Sequence, residues 1–228
     1  MKIGILQTGH APDGLRETFG DYDDLFRVLL NGHGFSFDTY NVVDNRFPDG
    51  PGMADGWLIT GSPHGAYEDL PWIPKLEDLI RASRAAERPL IGVCFGHQII
   101  AQALGGTVEQ FKDGWAVGRT EYNMGGVTVP LFAWHQDQVV VPPPDARVLA
   151  RHPFCENAAL AYGDMIWTIQ PHPEFHWRFV DGLIKTRGKG VVPDDQLIAA
   201  AATLDQPVAQ SDIAREMARF FLMGRGYE

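Results

Sequence analysis

Hydrophobic and polar positions along the chain form blocks whose period changes about halfway. Lys2 to Gln7 carries the apolar run Ile3 to Leu6 and reads as a buried strand. Tyr22 to Asn31 puts Leu25, Phe26, Leu29 and Leu30 on one helical face, and Gly32 and Gly34 end that helix. Phe35 to Val43 and Gly56 to Thr60 read as the next two strands. Trp72 to Glu87 is an amphipathic helix with Ile73, Leu76, Leu79 and Ile80 on one side. Leu90 to Val93 is a further strand, and Gln98 to Leu104 a helix closed by Gly105 and Gly106. Strands alternating with helices predict a parallel sheet covered on both faces.

The second half is patterned differently. Val117 to Tyr122, Gly126 to Val129, Val139 to Val141, Arg147 to Ala150, Ala158 to Tyr162 and Met165 to Gln170 are closely spaced, β-prone pieces. Phe132 to Asp137 reads as a polar and aromatic knot, and Pro142 to Pro144 as a rigid turn. Helical periodicity returns from Phe175 to Lys185 and from Asp212 to Met223, where Ile213, Met217, Phe220 and Phe221 form a stripe. Thr8 to Gly20 reads as a long loop and a candidate wall of a binding site. Gly188 to Asp195 reads as the most flexible stretch. The expectation is an α/β fold over residues 1–228 as a single domain. A mostly parallel central sheet is flanked by helices and carries a small antiparallel extension.

Composition narrows the function. The net charge of -10 argues against nucleic acid or an anionic membrane as partner, since phosphate binding needs clustered Lys and Arg. No apolar run is long enough to cross a bilayer, and the N-terminus reads as a strand rather than a leader. Two cysteines, Cys94 and Cys155, argue against a disulfide framework and point to a reducing, cytoplasmic setting.

Cys94 stands between the strand Leu90–Val93 and the following helix, bracketed by Gly92 and Gly96. That is the cysteine form of a nucleophile elbow. A helix N-terminus favours thiolate over thiol. A nucleophile of this kind needs a base and an orienter. His172 and Glu174 supply them, two apart in an extended Pro171-His172-Pro173-Glu174 segment that turns both side chains the same way. For an oxyanion, the backbone N–H of Phe95 and that of Gly61, on the loop after a neighbouring strand, are the expected donors. His172 and His176 are four apart, yet Pro173 breaks the helix that a metal pair would need. No metal and no cofactor are expected. Cys155 lacks the glycine bracket and reads as structural, His97 as packing on the elbow helix, and Asp21, Asp23 and Asp24 as an exposed helix start.

Gly92-Val93-Cys94-Phe95-Gly96-His97-Gln98, Gln170-Pro171-His172-Pro173-Glu174 and Gly61-Ser62-Pro63 together resemble the class I glutamine amidotransferase family, in order and spacing, over nearly the whole chain. The resemblance implies a flavodoxin-like fold and a Cys94-His172-Glu174 triad that cleaves a γ-glutamyl amide through a thioester. It implies that Gln98, and more loosely Trp134, His135 and Gln136, bind the α-amino and carboxylate end of the substrate. Pro171 stands where the family usually has an aromatic, and Ser62 where many members have glycine. Gly61 to Tyr67, with Gly114 to Arg119, looks most like the stand-alone branch that includes γ-glutamyl peptidases. Two substrates follow from the resemblance. One is glutamine, with ammonia passed to a separate synthetase subunit. The other is a γ-glutamyl peptide or amine hydrolysed outright. An elbow-cysteine redox or stress protein is the alternative of another class, against which the His172–Glu174 pair speaks. A catalytically dead homologue is a third.

Overall fold

The computed structural model describes residues 1–223. In chain order the strands are β1 (Lys2–Gln7), β2 (Ser36–Asn41), β3 (Gly56–Ile59), β4 (Leu90–Val93), β5 (Thr107–Gln110), β6 (Ala116–Met124), β7 (Val127–His135), β8 (Asp137–Val141), β9 (Ala146–His152), β10 (Cys155–Tyr162) and β11 (Ile166–Ile169). The helices are α1 (Asp13–Phe19), α2 (Tyr22–Leu29), α3 (Ile73–Ala85), α4 (Phe95–Ala103), α5 (Trp177–Leu183), α6 (Asp194–Ala201) and α7 (Gln210–Met223).

Nine strands form one mixed sheet in the order β2-β1-β3-β4-β11-β10-β9-β6-β7. The five from β2 to β11 run parallel. From β11 outward the pairing turns antiparallel. A separate antiparallel pair, β5 with β8, lies beside α4. This is the α/β architecture expected from the pattern.

The parallel strands are short and apolar because both faces are covered. Leu6, Trp57, Ile59 and Leu90 pack toward α3 and α4 through Leu76, Ile80, Ile99 and Ile100. Ile3, Ile5, Leu58, Ile91 and Val93 pack toward α2 and α7 through Phe26, Leu30, Met217 and Phe221. Gly4 faces the first side, and a Cβ there would lie 2.2 Å from the Trp57 ring. A third cluster joins α1 to α5 through Leu15, Phe179 and Leu183, beside the carboxyl end of the sheet.

Three local expectations change and one unassigned stretch proves helical. Thr8 to Gly20 is not all loop: α1 forms within it, because Pro12 leads into Asp13 at the helix start and Leu15 is buried against Gly182. The elbow helix starts at Phe95, not Gln98, directly on the nucleophile candidate. Phe132 to His135 is no knot but the end of β7. Residues 194–201 form α6, whose Ala200 fills the space left by Gly118.

Candidate active site

Because β3, β4 and β11 are parallel neighbours, the residues that follow them emerge side by side at one edge of the sheet, where α/β sheets bind ligands. Those residues are Thr60-Gly61, Cys94 and Gln170 to Glu174. Backbone bonds lock them together. Cys94 N–H donates to Ile169 O at 2.9 Å and Gly96 N–H to Thr60 O at 3.2 Å. His172 N–H donates to Phe132 O at 2.8 Å, which ties β7 into the same edge.

Cys94 has φ 53 and ψ -104, a conformation that non-glycine residues avoid and that stores roughly 1–3 kcal/mol. The bracket glycines make the turn fit. A Cβ on Gly92 would sit 2.4 Å from Gly96 O, and one on Gly96 would sit 2.4 Å from Ile59 O. The side chains of Cys94 and His172 line the site together, both close to Gly61. His172 Nδ1 lies 2.7 Å from Glu174 Oε1. Phe175 stacks flat on the imidazole, centroids 3.9 Å apart and planes 4° apart. All three polar residues are buried, Cys94 at 6 % exposure and His172 and Glu174 at 4 % each. Burial works to lower the His172 pKa, but the charges of Glu174 and Cys94 outweigh it and raise it to about 10.

Gly61 lies against this group, since its missing Cβ would meet His172 Cε1 at 3.0 Å and Cys94 Cβ at 3.7 Å. Its carbonyl is held from the β1 side, 3.0 Å from the hydroxyls of both Thr8 and Thr60.

The site opens into a cavity of about 570 Å³. Its lining includes Glu68, Asp137 and Tyr67, with Asp137 bonded to Gln98, and Tyr22, Trp134, Arg187 and Lys189, with Trp134 against Gly188. Burial raises the Asp137 carboxyl, and burial with the neighbouring Asp137 raises the Tyr67 phenol to about 12.

The family model for "Glutamine amidotransferase class-I" matches residues 36–181, well over half of the chain. The chain belongs to the class I glutamine amidotransferase family. Among curated relatives, γ-glutamyl peptidase 4 of Arabidopsis thaliana is 30% identical over 224 residues, covering 91% of this chain and 89% of that protein. A glutamine-hydrolyzing GMP synthase subunit of Methanothrix thermoacetophila is 31% identical over 145 residues, covering 58% of this chain and 74% of that protein. Among solved structures, a glutamine amido transferase from Methylobacillus flagellatus superposes with TM-score 0.75 at 23% identity, covering 100% of this chain and 96% of that one. It shares the class I glutamine amidotransferase fold.

The candidate residues for catalysis and substrate binding lie at this edge of the class I amidotransferase sheet. Gln98, Trp134, His135 and Gln136 all line the cavity. Their side chains are partly committed within the protein. Gln98 Nε2 donates to Asp137 O at 2.9 Å and to Gln170 Oε1 at 3.1 Å. Gln136 Nε2 donates to Phe111 O at 3.2 Å. Burial, then the neighbouring His172, lowers His135 to about 3, and burial lowers His97 to about 3, so both are neutral imidazoles. His97 Nδ1 is 2.8 Å from Thr168 Oγ1 beneath the elbow. His176 turns away and caps α5. Cys155 is buried in the core and its thiol is raised to about 12.

Asp21 is not a plain exposed acid. It caps α2 in a reciprocal pair with Asp24, accepts from Ala11 N–H at 2.8 Å and lies 2.6 Å from His10 Nδ1. Phe175, Tyr22, Asp137 and Arg187 are cavity residues that sequence reasoning passed over. Phe175 was the most accessible of them, one position after Glu174. No group of three metal-ligating side chains occurs among the described residues. No described helix is long and apolar enough to cross a membrane.

Proposed function

We propose that the chain is a cysteine-dependent hydrolase of γ-glutamyl amides, acting through a γ-glutamyl thioester on Cys94. The observation that carries this reading is the meeting of Cys94, on a strained elbow, with the buried His172–Glu174 pair beside Gly61 in one cavity. The γ-glutamyl peptidase relative supports the acyl group.

In this proposal the Cys94 thiolate attacks the γ-carbonyl carbon. A helix-start N–H has no partner inside its own helix, so Phe95 N–H is free to meet the oxyanion. The second donor comes from the Gly61 turn. The Gly61 N–H is the proposed donor, and the absent Cβ, which would meet His172 Cε1 at 3.0 Å and Cys94 Cβ at 3.7 Å, gives the close approach.

As the C–N bond breaks, His172 gives its proton to the leaving amine. The thioester is neutral, so one of the two charges that raise the His172 pKa disappears as the acyl-enzyme forms. Neutral His172 then takes a proton from water, which attacks the acyl carbon. The C–S bond breaks, glutamate leaves and the thiolate–imidazolium pair returns. Glu174 holds Nδ1 and balances the imidazolium throughout.

The test is intact-mass detection of a γ-glutamyl adduct on Cys94, with steady-state rates for wild type and Cys94→Ala on γ-glutamyl dipeptides and glutamine. Loss of several orders of magnitude in the variant supports the reading. Wild-type rates in Cys94→Ala would sink it. The likeness to a GMP synthase component favours a second reading, in which ammonia is delivered to a separate synthetase. That reading requires glutamine turnover that rises when the synthetase is added.

A further inference from the structure

The cavity lining carries two charged pairs of opposite sign, each on different elements. Glu68 and Asp137 form the acidic end, near Gln98 and the Gly65 turn. Arg187 and Lys189 form the basic end, at the π-helical turn Ile184–Gly188 after α5 and just beyond it, against His10 and Trp134. Arg187 is half-buried and is fixed in place: its guanidinium donates to His10 O at 3.2 Å. That carbonyl belongs to the loop pinned by Asp21, which bonds both His10 and Ala11. No ion pair to Arg187 or Lys189 occurs among the described residues, although the chain carries 29 acidic residues against 19 Lys and Arg. An arginine held at a cavity wall without a carboxylate in a strongly acidic protein is available to an anionic ligand.

The position of Arg187 says which part of the ligand that is. Tyr22, Phe175 and Leu183 line the same cavity and pack in one cluster, with Phe175 stacked on the His172 ring. Trp134 packs on Gly188, so its ring flanks the same turn, with Trp115 beside it at 6.5 Å between centroids. The acidic end suits the α-ammonium of the glutamyl group, which places the acyl part away from Arg187. The leaving amine, protonated by His172, then departs toward the basic and aromatic end.

We propose that Arg187, assisted by Lys189, is a specificity-determining cation that binds a carboxylate of the leaving group, so that the chain selects γ-glutamyl amino acids and short peptides over free glutamine. The proposal rests on the γ-glutamyl thioester reading of Cys94. The step is the one already written: the thiolate displaces the amine, His172 supplies its proton, and water later releases glutamate. Arg187 adds a charge-assisted contact to the departing amino acid and exchanges no proton or electron.

The experiment compares γ-glutamyl-alanine with γ-glutamyl-alaninamide, which differ in the carboxylate alone, on wild type, Arg187→Gln and Arg187→Lys. Wild type is expected to favour the free acid by roughly ten- to a hundredfold in kcat/KM, the effect of one hydrogen bond to a charged group. Arg187→Gln should remove that preference by slowing the acid while leaving the amide nearly unchanged, and Arg187→Lys should restore part of it. A merely structural role for Arg187 would slow both substrates together, which overturns the proposal. Equal wild-type rates on acid and amide, with Cys94 acylated by both, remove the subsite and leave the thioester reading standing. Absence of any Cys94 adduct with either substrate removes the thioester reading and the subsite with it.

Discussion

Glu174 is a buried carboxylate with one oxygen on His172 and the other, Oε2, without a hydrogen-bond partner among the described residues. Its charge is therefore answered chiefly by the imidazolium. Glu174→Gln keeps the shape and removes the charge, and should lower kcat/KM by roughly 10²–10⁴-fold. The pH profile carries the sign. His172, raised to about 10, is protonated below that pH, so leaving-group protonation fails as pH rises through it. Removing Glu174 takes away one of the two charges that raise it, and the alkaline limb of kcat/KM should move to lower pH. The same shift affects stability. A raised folded-state pKa contributes stability that is fully present below the ordinary value of 6.5 and is lost as pH rises through about 10. Urea midpoints measured across that window should fall toward the alkaline side in wild type and fall less in Glu174→Gln. His172→Ala leaves the carboxylate buried and unpaired, and should cost about 3–5 kcal/mol near neutral pH. At this scale Cys94, His172 and Glu174 were legible in the sequence because each sits in a short segment whose glycines or prolines dictate its backbone. Arg187 and Tyr22 were not, because an arginine or tyrosine in a helical turn carries no local mark of what the tertiary fold sets opposite it.

The elbow works as an element because β3, β4 and the first turn of α4 touch backbone to backbone at Gly92 and Gly96. Gly96→Ala would push against the Ile59 backbone and its Cβ, neither of which can swing aside, and should destabilise the chain by about 1–3 kcal/mol in chemical unfolding, with activity lost. Gly14 in α1 is the opposite case. A Cβ there meets nothing within 4 Å, so Gly14→Ala should stabilise by up to about 1 kcal/mol. Asp21→Ala removes the α2 cap and should cost about 1–2 kcal/mol. It also frees the His10–Ala11 segment on which Arg187 rests, so its KM for carboxylate-bearing leaving groups should rise more than its kcat falls. Strands and helices with a buried stripe were readable from period alone. The helix α1 was hidden by its Gly, Pro and Asp content. The helix α6 was hidden because it buries only Leu197 and Ala200 and leaves Ile198 in solvent, so it has no stripe to detect.

Across the whole molecule, a single sheet runs from β2 at one edge to β7 at the other, with cores on both faces of its parallel part. Unfolding should therefore be one cooperative transition, with far-ultraviolet dichroism and tryptophan fluorescence tracing the same curve. The fluorescence samples both regions, since Trp57 and Trp167 are in the core and Trp115 and Trp134 line the cavity. Two separated transitions would mean that the antiparallel half folds on its own. The parallel half was legible because strand and helix alternate. The order of the antiparallel strands was not, because β6 pairs with both β9 and β7, and the pairing with β9 spans an interval of chain that no local pattern records.

The burial of Cys155 has a practical consequence. Of the two thiols, one is sealed among core side chains at 2 % exposure and the other lines the cavity. A small alkylating reagent added to the native chain meets a single sulfur. The equivalents it consumes then count working sites, and a rate per mole of protein becomes a rate per competent molecule.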